Sequence, residues 1–129
     1  MSVALKIVDQ TLGVYPHVTR ELRLASARIT LRELIRRRID EEVSEINAGG
    51  DDVHPLVTPS AAEVALNGDR SRRRAVDADK QFGAAITAFQ RNRIVVIVDG
   101  RQVQDLDHAI GITPTTEVRF VKLVPLVGG

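Results

Sequence analysis

"ITLRELIRRRIDEEVSEIN", Ile29–Asn47, is the stretch from which the fold can be read. Leu31, Leu34, Ile35, Ile39, Val43 and Ile46 recur at helical spacing and so form one apolar stripe. Thr30 and Glu33 supply a T-x-x-E capping box, in which side-chain oxygens satisfy backbone N–H groups that a helix start leaves without partners. Asn47, followed by Gly49 and Gly50, ends the element. A single long helix with one apolar stripe needs a surface to bury that stripe against, and the flanking sequence supplies strands.

Before the helix, Val3–Val8 alternates, with Val3, Leu5 and Ile7 on one face and Lys6 on the other. "DQTLGVYPH" (residues 9–17) then has the composition of a turn, and Val18–Leu24 alternates again with Val18, Leu22 and Leu24 on one face. Arg20 interrupts that apolar face. Two strands joined by a turn predict an N-terminal hairpin. After the helix, the span 47–74 reads as an insertion: "NAGGDDVHPLVTPS" is loop chemistry, Ala61–Gly68 suits a short helical turn, and residues 70–74 are a basic run. "VDADKQFGAAITAFQRNR" (residues 76–93) predicts a second helix with Phe82, Ala85, Ile86 and Phe89 on one face. "IVVIVDGRQV" (residues 94–103) is a hairpin around Asp99-Gly100. "QDLDHAIGITPTT" connects it, through at most one helical turn, to a last strand over Glu117–Leu123.

Strands and helices are intermixed without regular alternation, so the class is α+β, one domain over residues 1–129. The expected architecture is a mixed sheet of four to five strands on one main helix, with the inserted loop, the second helix, and a flexible tail over 124–129. Apolar residues make up 43% and aromatics only 3%, so the core must be built from Val, Ile, Leu and Ala. A net charge of +1 gives no global case for binding nucleic acid or a membrane surface. Cysteine is absent, which excludes thiolate nucleophiles and disulfides. His17, His54 and His108 lack metal-ligand spacing, and no P-loop or dinucleotide fingerprint is present, so the chain is read as a non-enzyme with no metal and no bound cofactor. Met1-Ser2-Val3 begins no signal pattern and no apolar run approaches a membrane span, so a cytoplasmic protein is expected.

Two stretches carry a resemblance. One is the strand-turn-strand running into "ITLRELIRRRI". The other is "VVIVDGRQVQDLDHAIGITPTTEVRFVKLVPLVGG", in which Leu106-Asp107-His108-Ala109-Ile110, Thr116-Glu117-Val118, Pro125 and Gly128-Gly129 follow one another. Over about two-thirds of its length the chain resembles the ubiquitin-like, β-grasp proteins, and within them the small sulfur carriers of molybdopterin and thiamine biosynthesis. It also resembles bacterial ubiquitin-like modifiers. The span 47–93 has no counterpart in those carriers, and the segment between the last strand and the diglycine is longer than theirs.

The resemblance implies that the Gly129 carboxylate is the working group. A separate ATP-dependent, E1-like enzyme would adenylate it, with ATP used by that partner and no cofactor held by this chain. The product would be a thiocarboxylate feeding a sulfur-accepting synthase, or an isopeptide bond to a target lysine made with a conjugating enzyme. Gly128 and Gly129 suit a terminus that threads a narrow channel, because a side chain there would clash. Pro125 would stiffen the base of the tail and, with Val127, position it. Val96, Val98, Phe120 and Leu123 are candidates for docking the activating enzyme from the outer face of the sheet. Lys6, Lys80 and Lys122 are the only lysines that self-conjugation could use. The alternative is a non-covalent interaction module whose tail is inert.

Overall fold

A computed structural model describes residues 2–13, 17–49, 55–57 and 76–123. In chain order the elements are β1 (Val3–Thr11), β2 (Val18–Leu24), β3 (Arg28–Thr30), α1 (Leu31–Asn47), α2 (Ala78–Gln90), β4 (Ile94–Val98), β5 (Arg101–Val103), β6 (Ala109–Gly111) and β7 (Glu117–Lys122). Five strands form one mixed sheet in the order β2-β1-β7-β4-β5, and β3 pairs with β6 in a separate two-stranded ribbon. β1 is antiparallel to β2 and parallel to β7, and β7 is antiparallel to β4. The class is α+β, with the last strand placed in the middle of the sheet.

Alternation along the strands separates the two faces. Leu5 and Ile7 of β1, Leu22 and Leu24 of β2, Ile94 and Val96 of β4, and Val118 and Phe120 of β7 point inward, all nearly or fully buried. They meet the α1 stripe: Leu31, Leu34, Ile35, Ile39, Val43 and Ile46 are all in the core. Ala85 and Phe89 of α2 complete it, so the core rests on two helices rather than on α1 alone. Arg36 fastens the helices together. Its guanidinium lies 2.8 Å from Asp79 and 3.2 Å from Asp40, and 5.2 Å above the Phe82 ring. The bond to Asp79 outweighs partial burial and holds the Arg36 pKa above its ordinary value.

The helix caps follow the sequence. Thr30 Oγ1 accepts from the Glu33 N–H at 3.2 Å, and Asp77 Oδ1 accepts from the N–H groups of Asp79 and Lys80. Two more N–H groups at the start of α1 are taken up by the connection before β6: Leu31 donates to the His108 carbonyl and Arg32 to that of Leu106. At the β4–β5 turn, Asp99 and Gly100 both adopt positive φ, the geometry a two-residue hairpin demands. The Asp99 carboxylate accepts from the Glu117 N–H at 2.9 Å and ties that turn to the start of β7.

Three elements differ from the sequence expectation. β1 runs on through Asp9, Gln10 and Thr11, because each pairs with β7 (Asp9 with Phe120, Gln10 with Val121, Thr11 with Lys122). The stretch with the composition of a turn thus begins as strand. Ala109–Gly111 is a short strand against Arg28–Thr30 instead of a plain connection. The inserted region returns to the body at two described points. Asn47 clamps its ends, receiving the Val76 N–H at 2.8 Å and donating to the Val76 carbonyl at 3.2 Å. Leu56 is buried, and Gln81 donates to the Val57 carbonyl at 2.8 Å. The turn expected over Ala61–Gly68 and the basic run 70–74 lie outside the described residues.

Asn47→Ala removes both halves of the clamp while leaving α1 and the sheet untouched. The expected loss is about 1–2 kcal/mol, because the partly buried N–H and C=O of Val76 lose their partner. Urea unfolding gives that value, and hydrogen exchange at Val76 rises well before exchange in β1 or β7.

Candidate functional site

Gly128, Gly129, Pro125 and Val127 lie outside the described residues. The base from which they extend is described. β7 is gripped from both sides to its end: Leu12 donates to the Lys122 carbonyl at 3.1 Å, and Leu123 donates to the Arg93 carbonyl at 2.9 Å. Lys122 Nζ reaches sideways to the Pro55 carbonyl at 3.1 Å, so the insertion touches the same place. Leu12, 49% exposed, and the exposed Arg93 flank it. Whatever follows Leu123 therefore starts from a fixed point at the end of a central strand.

The four docking candidates divide. Val96 and Phe120 have no exposure and face α1, so they are core and cannot dock a partner. Val98 shares their parity and packs, half-buried, against that core. Leu123 is half-buried at the strand end. The outward positions are the odd-numbered ones of β4 and β7: Val95, Ile97, Arg119 and Val121, with Val8 beyond them on β1. Arg119 lies across this face, donating to Gln10 Oε1 and to Glu117 Oε1 at 3.0 Å each. A continuous apolar run such as "IVVIV" carries no signal of which parity turns inward, which is why Val95 and Ile97 escaped the sequence reading. Of the lysines, Lys6 and Lys80 are exposed, whereas Lys122 is half-buried and bonded to Pro55.

Beneath the tail base lies a buried ionic chain. Asp9 occupies an inward position of β1 and is 5% exposed. Arg38 of α1, fully buried, meets it with both terminal nitrogens at 2.5 and 2.6 Å and meets Glu42 with Nε at 2.7 Å. Its guanidinium also sits 4.6 Å above the Phe120 ring. Burial alone would lower the Arg38 pKa; the bonds and charges of Asp9 and Glu42 more than reverse that, and it lies above its ordinary value. The sign follows directly. A raised arginine contributes stability below its unfolded pKa and loses it only as pH climbs through the folded one, so Arg38 is charged at every working pH. Glu42 extends the chain to Arg20, 3.3 Å away, and accepts the Leu56 N–H at 3.1 Å with its other oxygen. Arg20, which interrupts the apolar face of β2, also reaches Glu45 at 3.3 Å. Its Nε is buried and, among the described residues, has no partner. Arg38 and Glu42 are buried on α1 at i and i+4, a spacing that by itself does not separate a buried pair from a solvent-face one.

Among the described residues no three His, Asp or Glu side chains are placed to hold a metal ion. A cleft of about 570 Å³ opens between the end of α2, β4, β5 and the loop before β6. Carboxamides of Gln90, Asn92, Gln102 and Gln104 line it, with Arg32 and Asp105. Asp105 is committed to its own loop, accepting from the Asp107 N–H at 2.9 Å, and Asp107 faces Arg32 at 3.4 Å. The cleft offers hydrogen bonds but no nucleophile paired with a base. Among the described residues no helix is long and apolar enough to cross a membrane.

No family model, no curated protein and no solved structure matches this chain.

Proposed function

We propose that this protein is a β-grasp, ubiquitin-like carrier whose Gly129 carboxylate is adenylated by a separate ATP-dependent, E1-like enzyme. The supporting observation is the placement of β7: a central strand, parallel to β1 and held to Leu123, leads into six residues that finish on Gly128-Gly129. A mixed five-stranded sheet with α1 across one face is compatible with the β-grasp that the resemblance implies. Six extended residues reach about 20 Å, enough to leave the body of the domain and enter a partner's channel.

In the proposed reaction a carboxylate oxygen of Gly129 attacks the α-phosphorus of ATP and pyrophosphate leaves. A nucleophile then attacks the carbonyl and AMP leaves. With a sulfide equivalent as nucleophile the product is a thiocarboxylate; with a lysine amine, reached through a partner's cysteine thioester, it is an isopeptide. The partner enzymes supply every thiol, since this chain has none.

The absence of cysteine makes the test clean. Protein isolated from its native cells is treated with a thiol-alkylating reagent, and the intact protein and its C-terminal peptide are weighed. The expected result is an alkyl group on the peptide that ends in Gly129, where only a thiocarboxylate can accept it. High-mass adducts that vanish when Gly129 is deleted would assign the isopeptide branch. A C-terminal peptide that is neither alkylated nor conjugated would overturn the carrier reading in favour of a non-covalent module.

A further inference from the structure

We infer that a second copy of this chain pairs with the outer edge of β2, antiparallel and centred on Leu22, joining two five-stranded sheets into one. β2 is a terminal strand, and among the described residues no backbone group bonds to its outer edge. It is long for an edge. Seven consecutive residues pair with β1 in unbroken register, from Val3 with Leu24 to Asp9 with Val18, so no bulge bends it away. It contains no proline, glycine or lysine. The opposite edge, β5, is only three residues long, one way of keeping a sheet edge from recruiting another strand. β2 is guarded only by charge, with Arg20 pointing inward and Glu21 and Arg23 outward, and a partner of matching charge pattern overcomes that guard. Among the described residues no element lies over its outer side chains: Glu21 and Arg23 are 61% and 69% exposed, and the 3.7 Å pair they make with each other along the strand is a weak, solvent-screened one that a cross-strand pair can replace.

Charge selects both the partner and the register. On the outer face β2 presents Thr19, Glu21 and Arg23. Centring a two-fold axis on Leu22 sets Glu21 opposite Arg23 of the other copy, and the symmetry repeats the pair. A centre on Glu21 or on Arg23 would oppose like charges across the axis, and a centre on Arg20 would bring two arginines together. Cross-strand pairs of opposite charge stabilise and like pairs destabilise by comparable amounts, so one register is favoured. A strand carrying one charge of each sign two residues apart fits itself. Leu22 and Leu24 are already buried by α1, so the contact consists of backbone bonds and two ion pairs. The dimer is therefore a weak one, governed by concentration.

Analytical ultracentrifugation of the full chain across the micromolar to millimolar range reads this directly. The wild type is expected to shift from monomer to dimer. Glu21→Arg opposes arginine to arginine twice and is expected to raise the dissociation constant about tenfold or more, with Arg23→Glu doing the same through paired glutamates. The swap Glu21→Arg/Arg23→Glu restores the pairing. Mixing the two single variants is expected to give a heterodimer tighter than either homodimer. Circular dichroism of each variant establishes that it is folded, which these exposed positions permit. A wild type that stays monomeric throughout overturns the inference. So does a dimer indifferent to all of these charges, since its interface must lie elsewhere.

Discussion

Arg38→Ala is expected to cost about 3–5 kcal/mol, the penalty of leaving a buried charge without its partner. The wild-type arrangement holds Asp9, Arg38 and Glu42 almost wholly buried, with the partly exposed Arg20 closing the chain at its outer end. Truncation at Arg38 strands Asp9, 5% exposed, among Ile7, Phe120 and the α1 stripe with no cation beside it. Glu42 is less harmed, since Arg20 and the Leu56 N–H still bind it. The face of Phe120 loses its guanidinium as well, a further contribution of order 1 kcal/mol. Against a domain stability of roughly 5–15 kcal/mol the loss is large. Urea unfolding checks it, the midpoint falling while the slope is unchanged. Asp9→Val/Arg38→Met separates cause from consequence. Removing both charges and refilling the space is expected to recover at least half of the loss, because an apolar pair does not pay for desolvation. If Arg38→Ala costs under about 1 kcal/mol, water reaches Asp9 and the chain of charges is not a sealed one.

That ionic chain also marks where sequence reading works and where it stops. The α1 stripe, the Thr30 cap, the Asp99-Gly100 hairpin and the β7 alternation are local patterns, and each forms where its residues predict. Asp9, Gln10 and Thr11 are turn-type residues; their place in β1 comes from pairing with β7, more than a hundred positions away, and for Asp9 also from Val18 and Arg38. Arg38 and Glu42 at i and i+4 resemble an ordinary solvent-face ion pair. Their burial depends on Asp9 arriving from another strand. β3 and β6, at three residues each, are too short to carry a period. The docking candidates show the same limit. "IVVIV" announces a strand covered on both faces, but the choice of Val96 over Val95 as core follows from β7 placing Phe120 beside it. The diglycine is a different kind of signal: it lies outside the described residues, and the role proposed for it rests on what a residue without a side chain would permit at a reacting end, not on packing.

Deleting Gly129 is expected to abolish alkylation and conjugation alike, with the loss at least 100-fold in the modified fraction. The new terminus, Gly128, still bears a carboxylate and still lacks a side chain, so a nonspecific activation of any free terminus would continue. What changes is reach. The chain is anchored at Leu123 by its bond to Arg93, and the terminus is shorter by one residue, about 3.5 Å. An in-line attack on phosphorus tolerates far less: a misplacement of about 1 Å costs on the order of 100-fold. Gly128→Val tests the second requirement at constant length. It adds a branched side chain beside the residue proposed to react and is expected to reduce modification by a comparable factor, since a channel sized for glycine would exclude it. Both variants leave the described core intact, so thermal unfolding should be unchanged within error. The instructive result is the contrast between them. Loss in both means that the end is read by reach and by width, as a carrier's would be. Loss on deletion with Gly128→Val fully modified means that only the distance from Leu123 matters, and the narrow-channel account of the diglycine falls.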